Sequence, residues 1–198
     1  MSVLAEFISA CVPTSPLVCS EPSSLMMILA YGGPEKGDWR SSDRGLYFPF
    51  MRNAQQLRET EEFFHQQIPI TRAMGVRVAA YDGRQFTLVA PIALNHNHLG
   101  TAFGGSLGAV ATLAGYGLLW LELRDRACHL VIRQSSLSFR RPVRKDVVAI
   151  CRRPDQEALR AFKVEFVQRG KARIGLNVTI REDGLLAVEF QGLFVALK

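Results

Sequence analysis

The sequence predicts an α+β domain in which an antiparallel sheet wraps one long central helix. Three observations carry this prediction. Asn95 to Leu123 (NHNHLGTAFGGSLGAVATLAGYGLLWLEL) joins a polar loop to an apolar run with no charge before Glu122. That run is long enough for about five helical turns at roughly 3.6 residues each. A helix-forming segment and a strand pair precede it, and strand-like segments broken by one short helical insertion follow it. A helix apolar all round is either a membrane span or the buried centre of a soluble fold. The flanking strands point to the second. Gly104, Gly105, Gly108, Gly115 and Gly117 would each weaken an isolated helix by about 1 kcal/mol relative to Ala. They are therefore expected to let another backbone or a ligand approach.

The elements follow in order. Residues 1–50 are broken by Pro13, Pro16, Pro22, Pro34 and Pro49, with room for one short helical turn at Ser24 to Tyr31. They read as an irregular N-terminal extension, either disordered or upstream of a true start at Met51. Residues 51–198 form the domain. Met51 to Gln67 is helix-forming, offers Leu57, Phe63 and Phe64 for packing, and ends at Pro69. Val76 to Tyr81 and Gln85 to Ile92 are strands joined by the Asp82-Gly83 hairpin signal. After the central helix come strands at Leu130 to Phe139 and Asp146 to Arg152. A helix follows from about Asp155 to Arg169, with Leu159, Phe162 and Phe166 at helical spacing. Strands at Ala172 to Arg181 and Leu185 to Leu197 turn at Glu182-Asp183-Gly184.

Apolar residues make up 48% of the chain and mean hydropathy is +0.08, enough for a substantial core rather than disorder. A net charge of +6 and pI near 9.5 suit acidic partners: a phosphorylated cofactor, an acidic carrier protein or nucleic acid. Nucleic acid is the poor fit, because the basic clusters lack interleaved aromatics and no binding motif is present. Cys11, Cys19, Cys128 and Cys151 have no metal-ligand spacing and read as thiols of a reducing, cytoplasmic compartment. No metal is expected.

The central helix would present unpaired N–H groups and a partial positive dipole near Phe103. A thioester oxygen developing into an oxyanion could be stabilised there, with Gly104 and Gly105 allowing close approach. Asn97 can donate to that oxygen or position a water, or simply cap its own loop. His96 and His98 are acid–base candidates, or solvated loop residues. Arg140, Arg141, Arg144 and Lys145 form one basic cluster, and Arg169, Lys171 and Arg173 another. Either suits phosphate groups or an acidic protein face.

Asn97-His98-Leu99-Gly100-Thr101-Ala102-Phe103-Gly104-Gly105 resembles the N-x-x-G-T-x-[HF]-G-G loop of hotdog-fold acyl-thioester enzymes. With Ser106 it is similar to a bacterial thioesterase domain family, fused in some bacteria to the C-terminus of a GNAT acetyltransferase. The likeness runs from about Met51 to Lys198 and includes Ser136 to Val143. It implies a hotdog fold and a homodimer or dimer of dimers with sites at a subunit interface. The implied substrates are acyl-CoA or acyl-carrier-protein thioesters. Coenzyme A or phosphopantetheine enters only as part of the substrate, with no separate cofactor. The expected catalytic set is Asn97, His98, Gly104, Gly105 and Thr112; Phe103, Ser106, Arg140, Arg141 and Lys171 are expected to bind substrate.

Two departures bear on mechanism. Many hotdog thioesterases carry His where this chain has Phe103, and Asp or Glu two turns into the helix where it has Thr112. Hydrolysis needs an activated water or a nucleophile, which leaves His98 as the base. Decarboxylation of a malonyl thioester, proposed within the family, needs no base. It needs an oxyanion site and a poorly solvated pocket. The expected activity is thioesterase-type hydrolysis with the helix start as oxyanion site; the alternatives are a malonyl-acyl-carrier-protein decarboxylase and a binding protein that kept the pocket and lost turnover.

Overall fold

The computed structural model describes residues 44–198. The short turn expected at Ser24 to Tyr31, Cys11, Cys19 and most of the proposed extension lie outside the described residues. The first helix, α1 (Arg44–Gln67), begins upstream of Met51. A further turn of helix, α2 (Ile70–Ala73), follows Pro69. Strands β1 (Arg77–Tyr81) and β2 (Gln85–Ala90) form the expected hairpin. Asp82 shapes the turn by accepting the Arg84 and Gln85 N–H groups at 2.7 and 2.8 Å. A single turn, α3 (Ile92–Asn95), then leads to the central helix α4 (Gly104–Leu123). The remaining elements are β3 (His129–Phe139), β4 (Val147–Arg152), α5 (Gln156–Arg169), β5 (Lys171–Glu182) and β6 (Leu185–Leu197).

All six strands form one antiparallel sheet in the order β1-β2-β4-β5-β6-β3. It curls around α4, which packs against β2, β3, β4, β5 and β6. Alternation along β5 shows how the sequence achieves this. Ala172, Ile174, Leu176, Val178 and Ile180 are buried, while Lys171, Arg173, Gly175 and Asn177 between them are exposed. By length and composition α4 could cross a membrane, but 61% of its apolar window is buried inside this fold. It is the core.

Two of the helix glycines make way for rings. A Cβ on Gly115 would come within 2.5 Å of the Phe194 ring, and one on Gly117 within 2.4 Å of Phe86. Both rings are buried. The close approach foreseen at these positions is therefore by aromatic side chains of the sheet, not by ligand or backbone.

The two ends of α4 are held differently. Near the C-terminus, Glu122 bonds to Arg153 Nε at 2.6 Å, Lys163 Nζ at 2.7 Å and the Tyr81 hydroxyl at 2.7 Å. Its side chain is only 8% exposed. This joins α4 to β1, α5 and the loop before α5. Burial pushes the Glu122 carboxyl up, but the three hydrogen bonds outweigh it and hold the group below the ordinary carboxylate range.

The two sheet edges also differ. Along β1, Glu61 of α1 accepts the Val78 N–H at 2.7 Å, and His65 Nε2 donates to the Val76 carbonyl just before the strand at 2.8 Å. Along β3 most residues are exposed, including Val131, Ile132 and Phe139.

Candidate active site at the start of the central helix

The loop before α4 is anchored by a residue that the sequence did not single out. Asn95 is 2% exposed. Its amide donates to the Met74 and Pro91 carbonyls, both at 2.8 Å, and its own carbonyl accepts the Phe103 N–H at 2.7 Å. Its Oδ1 is buried with no hydrogen-bond partner among the described residues. Within the polar run NHNH, nothing local separates Asn95, which turns inward, from Asn97.

Asn97 closes the loop on itself. Its Oδ1 accepts the Leu99 N–H at 2.9 Å and the Thr101 N–H at 3.3 Å, and its Nδ2 meets Thr101 Oγ1 at 3.0 Å. Gly100 supplies the positive φ of 70° that this turn requires. The Asn97 amide is thus engaged within its own loop. His96 Nδ1 donates to the Asn97 carbonyl at 3.0 Å. His98 is exposed.

Phe103 precedes the helix in an extended conformation and makes no side-chain hydrogen bond to its first turn. The first bond of the ladder is from Leu107 N–H to the Phe103 carbonyl at 3.0 Å. The N–H groups of Gly104, Gly105 and Ser106 precede that ladder and carry the positive end of the helix dipole.

Two half-exposed rings flank these donors. A Cβ on Gly105 would come within 2.3 Å of the Phe103 ring, and one on Gly104 would lie 3.6 Å from Phe139. Gly105 is therefore needed by Phe103 itself. One turn further, a cavity of about 270 Å³ lies between α4 and the α1–α2 corner. Ala109, Thr112 and Tyr116 wall it from α4; Ile68, Met74 and Val76 are among the residues facing them. Gly105, Ala109, Thr112 and Tyr116 recur at spacings of 4, 3 and 4, so one face of α4 runs from the donors to the cavity.

The basic residues are divided. Phe139 places Arg140 and Arg141 beside the start of α4. Arg140 pairs with Glu189 at 2.8 Å, and Lys145 with Asp183. Arg141 and Arg144 have no ion pair among the described residues. Lys171 is exposed at the opposite end of the sheet, opposite Leu197, which in turn faces His129. Phe139 lies ten residues along β3, roughly 30 Å away at ~3.4 Å per residue. Within one chain, Lys171 does not join Arg140 and Arg141 at one site.

Cys128 and Cys151 are free and buried. Burial pushes the Cys151 thiol up to about 12, so it stays protonated and is no nucleophile. Among the described residues, no group of three or more His, Cys, Asp or Glu comes together.

A long helix wrapped by one antiparallel sheet, with a Gly-Gly start flanked by an Asn-x-x-Gly loop, defines a hotdog-fold domain. Comparison with known proteins agrees. Residues 57–198 match the family described as "Putative thioesterase (yiiD_Cterm)", and the chain belongs to that family. A solved protein of unknown function from Chlorobaculum tepidum is 34% identical, with a TM-score of 0.71, over 74% of this chain and 96% of that one. A "putative thioesterase" from Shewanella oneidensis is 27% identical, with a TM-score of 0.67, over 73% and 99%. A Pseudomonas aeruginosa protein named a probable thioesterase is 26% identical, with a TM-score of 0.62, over 71% and 94%.

Proposed function

We propose that the chain acts on acyl thioesters of coenzyme A or acyl carrier protein, and that its reaction is decarboxylation of a malonyl thioester. In this reading the thioester oxygen meets the N–H groups of Gly104 and Gly105. The acyl end lies along α4 toward Thr112. Asn97 acts as a positioning residue that holds the loop, and Arg141 and Arg144 meet the substrate's phosphates or the carrier's acidic face.

One observation carries the choice of reaction: the cavity wall at Thr112 contains no carboxylate and no histidine. A carboxylate there would repel a malonyl group, whereas an apolar wall favours conversion of a charged carboxylate into neutral carbon dioxide. The bond between the α-carbon and the carboxylate breaks. Its electron pair passes through the α-carbon to the thioester oxygen, carbon dioxide leaves, and a solvent proton adds at the α-carbon. Hydrolysis is the second reading. It is favoured by family membership and needs exposed His98 as base.

Both readings work best with a partner copy, and we propose a homodimer paired through β3. The support is the contrast between the two edges: β1 is met by Glu61 of α1, while β3 exposes Val131, Ile132 and Phe139.

The deciding experiment incubates purified protein with malonyl- and acetyl-CoA and with the corresponding carrier-protein thioesters, followed by mass spectrometry. Decarboxylation yields the acetyl thioester with no free thiol. Free thiol would select hydrolysis. Binding without turnover would make the chain a thioester-binding protein.

A further inference from the structure

We infer that the cavity beside Thr112 receives an alkyl substituent on the malonyl α-carbon, so that the substrate class extends to α-alkylmalonyl thioesters. This rests on the decarboxylation reading and extends it. The argument begins with size. The cavity measures about 270 Å³, and a water-sized group takes roughly 30 Å³, so it admits about nine such groups. The malonyl α-carbon and carboxylate contribute four heavy atoms. About five carbon-sized places remain, and an apolar wall gains by exchanging its water for hydrocarbon.

Chemistry points the same way. Of the wall, only Thr71, Thr112 and Tyr116 carry a side-chain oxygen; the remainder is Ile68, Ile70, Met74, Val76, Ala109, Val110 and Leu113. The Thr71 hydroxyl is occupied, donating to the Ile68 carbonyl at 2.8 Å. Such a lining reads hydrocarbon, and Thr112 is the nearer of its two α4 hydroxyls to the helix start. Ala109 is the smallest side chain on the wall and sits one turn from Gly105, at the neck between the donors and the pocket. Tyr116 lies two turns further along than Ala109 and bounds the far side. Linear substituents of one to four carbons fit the roughly five places that remain; an octyl chain exceeds them. The bonds broken and formed are those of the malonyl reaction, with the alkyl group retained on the α-carbon of the product thioester.

The test uses malonyl-, methylmalonyl-, ethylmalonyl-, butylmalonyl- and octylmalonyl-CoA with the intact protein, reading product thioester and free thiol by mass spectrometry. The expected result is that kcat/KM for the one- to four-carbon substrates equals or exceeds that for malonyl-CoA and falls at least tenfold for octyl. Ala109→Leu should lower kcat/KM for butylmalonyl-CoA at least tenfold more than for malonyl-CoA. Conversion of malonyl-CoA with no conversion of any alkylated form would overturn this inference and leave the decarboxylation reading standing. Hydrolysis of acyl-CoA without decarboxylation of any malonyl form would overturn both. An equal loss for both substrates in Ala109→Leu would show that the neck does not select for the substituent.

Discussion

Gly105 and Gly117 of α4 both lie under a phenylalanine ring, yet adding a methyl group should have different effects. At Gly117 the obstructing Phe86 ring is completely buried and has nowhere to go. Overpacking of this kind costs about 1–3 kcal/mol, offset by up to about 1 kcal/mol of helix propensity. Gly117→Ala should therefore lower the urea midpoint measurably. At Gly105 the Phe103 ring is 56% exposed and can swing into solvent. Gly105→Ala should change stability by less than about 1 kcal/mol and instead reduce turnover, because the displaced ring no longer flanks the helix donors. A Phe103→Ala background should remove most of that effect, and a double-mutant cycle on kcat/KM checks it. None of this could be read locally. The glycines were visible in the sequence, but the rings at 86 and 194 that explain Gly117 and Gly115 come from β2 and β6.

Glu122 makes the same point with charge. In the sequence it was only the residue that ended an apolar run. In the fold it holds Tyr81, Arg153 and Lys163 from three directions. Glu122→Gln leaves two cations without their counter-charge and should cost about 2–3 kcal/mol, below the full buried-pair value because both cations are partly solvated. The folded carboxyl titrates below the ordinary value of 4.5. Its contribution is therefore complete above that pH and is lost as pH falls through the folded value. Urea midpoints between pH 7 and roughly pH 3 should fall more steeply for the native protein than for Glu122→Gln.

At the level of elements, long periodic segments were legible and single turns were not. The hairpin, α4, α5 and the last two strands fall within a residue or two of their expected limits, because alternation and helical spacing are local properties. α2 and α3 span four residues each and follow Pro69 and Pro91, which look like breakers in sequence. A four-residue helix has no period to detect. α5 was legible at its start as well. Asp155 accepts the Ala158 N–H at 2.7 Å, as an N-cap should. Asp155→Ala should cost about 1 kcal/mol, seen as a shift in thermal midpoint without loss of turnover. What the alternating HLVIRQSSLSF could not reveal is position: it fits a strand, but not the fact that β3 is an edge with so many of its residues exposed.

For the whole molecule, the helix start and the Arg140–Lys145 turn were both visible as motifs, and the sheet register brings them together. The same register sends Lys171 to the far end, a separation that only strand pairing could disclose. The proposed pairing through β3 predicts a dimer by sedimentation velocity. Ile132→Asp, which puts a charge on that edge, should shift the protein toward monomer and lower turnover in parallel. Full activity in a monomer would show that each chain carries a complete site.

In the proposed β3 pairing the unequal edges would also set a stoichiometry. A sheet open on one side only can join one other such sheet by a two-fold axis, giving twelve strands, and then has no place for a third. In that pairing Glu61 and His65, which bond to the backbone at and just before β1, would also end the sheet. Replacing both with alanine removes two of the bonds that α1 makes to this edge, and light scattering that grows with concentration would show the edge recruiting further copies.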